Sequence, residues 1–209
     1  MVDTAKFWDR AARKYAAAPI RDMASYEYTL ERTRSHLRPD HRVLELGCGT
    51  GSTALLLADA VAAYTGTDIS GQMIRIAREK AAAGPEGLHF EVAGAGDAVR
   101  GTASCDVVLG LNLLHLLRTP EAVLRDAHAR LSEGGLVITK TVCLAEPSLG
   151  PKRFAFAALI PLMRAVGKAP FVQRFTFAGL ERMIQAAGFE LIETGTGPAM
   201  SRYIVARKR

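Results

Sequence analysis

The chain has 209 residues, 49% of them hydrophobic and 23% charged, which suits one domain with a sizeable core and excludes a disordered chain. Gly 19 and Pro 9 exclude collagen-like and linker compositions, and three scattered cysteines (Cys48, Cys105, Cys143) without Cys-x-x-Cys spacing exclude a disulfide framework or structural zinc. A cytoplasmic setting fits these cysteines; the net charge of +6 fits a soluble surface, with an acidic small molecule, anionic lipid or nucleic acid as the alternative reasons for it.

The N-terminus carries charges where a signal peptide needs an apolar core, and the longest uncharged apolar run, Phe154 to Met163, contains Pro161 and is too short for a bilayer that needs roughly 20 residues. Helical spacing of Phe7, Trp8, Ala11, Ala12 and Tyr15 predicts a helix over 4–17, and a second follows from Arg21 to Leu37, ended by Arg38-Pro39-Asp40. Strand Arg42–Leu46, helix Ser52–Ala62, strand Ala63–Thr67 and helix Gln72–Ala83 come next. They are followed by strands Leu88–Val92 and Asp106–Leu111, helix Pro120–Leu131 and strand Leu136–Val142. Such alternation predicts an α/β fold, a mostly parallel sheet with helices on both faces. After a segment of undefined structure over 144–176, helix Phe177–Ala187 is closed by Gly188. Strands Phe189–Glu193 and Tyr203–Ala206 flank the turn Gly195-Thr196-Gly197-Pro198, which is too short for a parallel crossover. Seven strands result, the last antiparallel.

Glu45-Leu46-Gly47-Cys48-Gly49-Thr50-Gly51 joins the first strand to its helix. Glycines there permit positive φ and close ligand approach, and the helix start offers free N–H groups. A dinucleotide loop would place glycine at Ser52, and a nucleotide-triphosphate loop would need Gly-Lys-Ser/Thr. Asp68, at the end of the second strand, can accept hydrogen bonds from both hydroxyls of a ribose. Together these residues read as a site for a nucleoside bearing a carboxylate.

The strand and loop 43–51, then Gly66-Thr67-Asp68-Ile69-Ser70, then Leu131-Ser132-Glu133-Gly134-Gly135, resemble the class I S-adenosylmethionine-dependent methyltransferases across roughly residues 40–142. The resemblance implies a Rossmann-like seven-stranded sheet and S-adenosyl-L-methionine as cofactor. It also implies that the loop 47–51, with Cys48 and Thr50, makes room for the methionine part, that Glu45 helps hold the ammonium and that Asp68 binds the ribose. Ile69 and Met73 would pack on the adenine, and Leu111 and Asn112 would lie beside the sulfonium end. The family's acidic residue after the third strand is replaced by Gly94, leaving the backbone of Ala95, or a folded-back Asp97, to meet the adenine.

Methyl transfer to a sulfonium-activated carbon asks the protein mainly for alignment and a dry pocket, with a base needed when the nucleophile is a hydroxyl or protonated amine. His115, just past the fourth strand, is the candidate base. Tyr15, Tyr26, Cys143 and Phe154 are the acceptor-side candidates. The Asn/Asp-Pro-Pro-aromatic and Pro-Cys signatures of nucleic-acid methylases are missing, so nucleic acid is not the expected partner and a small, hydrophobic acceptor is. No carboxylate cluster suggests a metal. The single domain then divides into an N-terminal helical lid (1–38), a cofactor core (40–142), an acceptor-side insertion (144–176) and a C-terminal helix with two strands (177–209). Basic residues bracket the apolar run after Lys152, so peripheral membrane contact through 152–174, with a lipid or quinone acceptor, is one alternative. A non-catalytic S-adenosylmethionine-binding protein is another.

Overall fold

The computed structural model describes residues 4–197 and 200–209. Residues 1–3, and Pro198 and Ala199 of the predicted final turn, lie outside the described residues. The apolar runs between glycine and proline punctuation form the strands β1 Arg42–Leu46, β2 Ala63–Asp68, β3 Leu88–Val92, β4 Cys105–Leu111, β5 Leu131–Val142, β6 Phe189–Thr196 and β7 Ser201–Lys208. They make one seven-stranded sheet in the order β3-β2-β1-β4-β5-β7-β6, in which only β7 runs against its neighbours β5 and β6. This is the expected Rossmann-like arrangement.

The period-2 alternation of each strand sends residues to two cores. One face (Val43, Val107, Leu109, Ile138, Tyr203 and Val205) packs against α3 Ser52–Leu57 and α4 Gly71–Lys80 through Ala54, Leu57, Ile74 and Ala77. The other (Leu44, Leu46, Val108, Val137, Ile204 and Ala206) packs against α5 Ala95–Gly101, α6 Pro120–Arg130 and α8 Phe177–Ala186. Two N-terminal helices, α1 Thr4–Ala17 and α2 Met23–Arg34, lie over the first face. Asp9 of α1 accepts hydrogen bonds from the Ser70 hydroxyl (2.6 Å) and the Gln72 amide (3.1 Å), while the Ser70 side chain itself accepts from the Met73 amide to cap α4.

Several boundaries differ from the sequence expectation. Helix α3 tightens into a 3-10 turn over Ala58–Ala60, α4 stops at Lys80, and β5 begins at Leu131 because a register shift between Cys105 and Val107 absorbs Gly134-Gly135. The glycine-rich stretch after β3 is no loop: it starts α5, anchored by the fully buried Val99. The insertion contains a helix, α7 Lys152–Ala165, that runs unbroken through Pro161. Proline removes one hydrogen bond there, in a helix none of whose residues is buried.

Helix α2 is clamped to β6 by Glu193, whose carboxylate accepts from Arg32 Nε and Nη2 (2.7 and 2.5 Å) and pairs with His36 Nε2 (2.7 Å). These partners, Arg32 foremost, pull its pKa down to about 2 from 4.5. The stabilisation is therefore complete above pH 4.5 and disappears as pH falls through about 2. Glu193→Gln should cost about 1 kcal/mol near neutrality after allowance for solvent screening, a deficit that urea titrations should find closing below pH 4.5.

Candidate active site

The strand order reverses between β1 and β4, and in open α/β sheets ligands bind in the crevice beyond the carboxyl ends of such a pair. The β1–α3 loop forms one wall. Gly47 and Gly51 hold φ of +68° and +74°, and a Cβ at these positions would lie 2.8 Å from Leu113 Cδ1 and 2.7 Å from Phe90 Cζ respectively. Only glycine allows both the conformation and the closeness. Cys48 and Thr50 do not turn their side chains to the crevice. The Cys48 thiol is packed in the core, and Thr50 Oγ1 is buried and accepts from Lys80 Nζ at 3.0 Å, so these two contribute backbone alone.

Asp68 ties the second strand to this loop, its Oδ2 accepting from the Gly49 amide (3.0 Å) and its Oδ1 from the Ser70 amide (2.8 Å). Burial raises its pKa, against the pull of those two donors. A carboxylate has about four lone-pair sites, so each oxygen keeps capacity for one more donor. Glu45 sits beneath the loop, 2% exposed, with the Tyr64 hydroxyl donating to Oε2 at 2.9 Å. Burial pushes its carboxyl up to about 7, opposed by the Tyr64 hydrogen bond and reinforced by the charge of Asp68. Among the described residues no cation lies within 4.0 Å of it.

Ile69 is 42% exposed at the end of β2 and offers an apolar surface. Met73, by contrast, is enclosed within α4 and offers none. Gly94 caps α5 and Ala95 opens it, but Asp97 points along its own helix to Arg100 (2.7 Å) rather than folding back. Tyr15 leans over the loop, its Cε1 3.8 Å from where a Gly49 Cβ would stand. Its pKa is raised by desolvation first, then by Asp68, Tyr26 and Glu45, so α1 shares one electrostatic neighbourhood with the carboxylates.

Beyond β4, Asn112 adopts φ +59°, a left-handed conformation that asparagine tolerates, and its amide donates to the Lys140 carbonyl at 2.7 Å. Half-buried Leu111 precedes it. Asn112 opens into a cleft of about 310 Å³ whose lining includes Ile20, Tyr26, Lys140, Val142 and Met200. A wider cleft of about 450 Å³, beside Arg78 and His89 at the β3 edge, holds none of these residues.

The candidate base His115 and two of the acceptor-side candidates, Cys143 and Phe154, line neither of these clefts. His115 is buried in a short 3-10 turn, its Nδ1 meeting no partner, and burial lowers its pKa to about 4. It is a neutral imidazole and, so far below neutral pH, a poor proton acceptor. Cys143 is 0% exposed among core residues such as Phe175 and Leu180, and burial pushes its thiol up to about 12, so it is a packing side chain. Phe154 is 65% exposed on α7, with the Arg153 guanidinium 4.7 Å from its ring centre.

A family model described as a methyltransferase domain matches residues 9–194. The chain belongs to the methyltransferase-domain family. Its fold is shared with solved S-adenosylmethionine-dependent methyltransferases. A ubiquinone biosynthesis O-methyltransferase of Parvibaculum lavamentivorans is 29% identical over 147 residues, 66% of this chain and 58% of that one. A hybrid PKS-NRPS synthetase of Emericella nidulans is 32% identical over 108 residues, 48% of this chain and 3% of that one. The chain thus spans little more than half of the first relative and a small fraction of the second. A SAM-dependent methyltransferase of Thermotoga maritima superposes with a TM-score of 0.70 at 21% identity, covering 98% of this chain and 99% of that one.

Within this methyltransferase domain, sequence reasoning passed over Tyr64, Asp9 and Lys140. Lys140 had a signal: it is the one charge in the run Leu136–Val142, a strand otherwise fit for burial on both faces. Among the described residues no cluster of three or more His, Cys, Asp or Glu side chains could hold a metal, and no helix is long and apolar enough to cross a membrane.

A carboxyl whose pKa is raised on folding favours the folded state below its unfolded pKa and loses that advantage as pH rises through the folded one. The ligand-free protein should therefore lose stability relative to Glu45→Gln, by up to about 3 kcal/mol, as pH rises from 4.5 past about 7. Parallel melting curves for the two proteins across that range would show that Glu45 is hydrated instead.

Proposed function

We propose that this chain transfers a methyl group from S-adenosylmethionine to an O, N or C nucleophile of a small, hydrophobic molecule. The observation that carries this reading is Glu45: a buried carboxyl group beneath a glycine loop, with a hydroxyl donor and, among the described residues, no cation within 4.0 Å. A buried charge is tolerated when a ligand supplies the missing partner, and the α-ammonium of the cofactor is of the right sign. Asp68 would hold the ribose hydroxyls with its remaining lone pairs, Ile69 the adenine face, and Gly94 and Ala95 the adenine edge. Leu111 and Asn112 would close the β4 side. When bound, the cofactor supplies a methyl group on a cationic sulfur. The chain supplies alignment and exclusion of water, for which α1 and α2, within residues 1–38, serve as a lid bearing Tyr15 and Tyr26. Residues 40–142 then form the cofactor core, with 144–176 on the acceptor side and 177–209 completing the sheet.

The cleft beside Asn112 has apolar walls in Ile20, Val142 and Met200, which favours a hydrophobic acceptor. The name of the Parvibaculum relative favours oxygen as the nucleophile. Calorimetric titration tests the cofactor site. Wild type should bind S-adenosylhomocysteine with micromolar affinity, roughly −8 kcal/mol, and Asp68→Ala should weaken it at least about tenfold. No binding by wild type would overturn the reading.

A second partner, an anionic membrane surface, is supported by α7. Phe154, Leu159, Leu162 and Val166 are all at least half exposed. From residue 147 to 180 no acid occurs, while Lys152, Arg153, Arg164, Lys168 and Arg174 do, so this stretch holds five of the six net charges. Apolar side chains amid clustered bases suit anionic lipid headgroups. The protein should sediment with phosphatidylglycerol vesicles at low salt and stay in solution after Lys152→Gln and Arg153→Gln; failure of wild type to sediment would sink this partner.

A further inference from the structure

Lys140 is 7% exposed on β5, facing the same side of the sheet as Glu45. Its ammonium donates to Thr29 Oγ1 (2.9 Å), Ser25 Oγ (3.1 Å) and the Ser25 carbonyl (3.4 Å), all neutral oxygens of α2. Among the described residues no carboxylate stands within 4.0 Å of it. These oxygens solvate the charge without cancelling it. Desolvation lowers the lysine pKa, with the charge of Asp22 opposing. Burying a cation costs free energy, which neutral oxygens offset only in part.

The cleft that Lys140 lines offers a reason. Its walls are Ile20, Val142 and Met200, and Tyr26 contributes a buried hydroxyl with no partner. Asn112, whose amide is bound to the Lys140 carbonyl, links this floor to the β4 side of the crevice. Asp22 is the cleft's acid, but it is exposed, where water screens it, and it is engaged in capping α2 through the Ser25 amide (3.0 Å).

We infer that this cleft is the acceptor site and that Lys140, giving up its long 3.4 Å bond to the Ser25 carbonyl, binds together with the Tyr26 hydroxyl an anionic oxygen of the acceptor. The acceptor is thus an apolar molecule carrying either a carboxylate or an ionised hydroxyl. The inference rests on the methyl-transfer reading for the word acceptor, while the anion site itself is testable without it. Charge-assisted hydrogen bonds to a desolvated ammonium are strong enough to make this group the main determinant of acceptor choice.

The test uses the full chain saturated with S-adenosylhomocysteine and three probes of similar shape: 4-nitrobenzoate, 4-nitrophenol at a pH where it is ionised, and neutral 4-nitrobenzamide. At least one anion should bind roughly tenfold or more tightly than the amide, and that preference should vanish in Lys140→Met. Preference for the benzoate assigns a carboxylate, and preference for the phenolate an ionised hydroxyl. Asp22→Asn, which keeps the cap, should bind the anion at least as tightly as wild type and needs no change at the buried site. Equal binding of all three probes by wild type, or an anion preference that survives in Lys140→Met, would overturn the proposal. S-adenosylhomocysteine affinity should stay within about twofold in Lys140→Met. Loss of cofactor binding by wild type would instead count against the methyl-transfer reading, with the anion preference judged separately on unsaturated protein.

Discussion

Two buried ionisable groups of opposite sign lie on one face of the sheet, neither in an ion pair within 4.0 Å among the described residues, and they organise what surrounds them. Glu45 on β1 and Lys140 on β5 are separated by β4, with Glu45 in register with Leu109 and Lys140 with Leu111. Isolated charges in an apolar interior are costly, and the protein blunts the cost with neutral dipoles: the Tyr64 hydroxyl for one, and three oxygens of α2 for the other. Neutral dipoles leave the sign of each position intact. The crevice is therefore polarised before any ligand arrives, negative under the glycine loop and positive under α2.

The N-terminal helices make this polarisation effective. Without α2, Lys140 would lose its three oxygen partners and face water, and its charge would be largely screened. The bidentate grip of Arg32 on Glu193 helps to hold α2 to β6, an edge strand of the sheet.

The crevice was legible in the sequence where backbone geometry dictates residue type. Positive φ and a close approach to Leu113 and Phe90 leave glycine as the choice at positions 47 and 51, and Asp68 follows at the next strand end. Side-chain direction was not legible. Thr50 could face a ligand or Lys80, Cys143 a pocket or the core, and hydrophobicity cannot separate an exposed Phe154 from a buried one. Helix α5 was hidden because Gly94-Ala95-Gly96 has the composition of a loop, and what makes it a helix is burial of Val99 in a core assembled from distant strands. Lys140 was hidden for a similar reason. Its partners Ser25 and Thr29 lie more than a hundred residues earlier, and within its own strand it is one charge in an apolar run.

The contact between α1 and α4 makes two local events into one. Ser70 gives its hydroxyl hydrogen to Asp9 while its oxygen receives the Met73 amide, and Asp9 also takes the Gln72 amide. If α1 swings away, the first turn of α4 surrenders two of these three bonds at once and keeps only the single cap from Ser70. Any displacement of α1 therefore costs α4 part of its N-terminal anchorage, and the two helix ends loosen together.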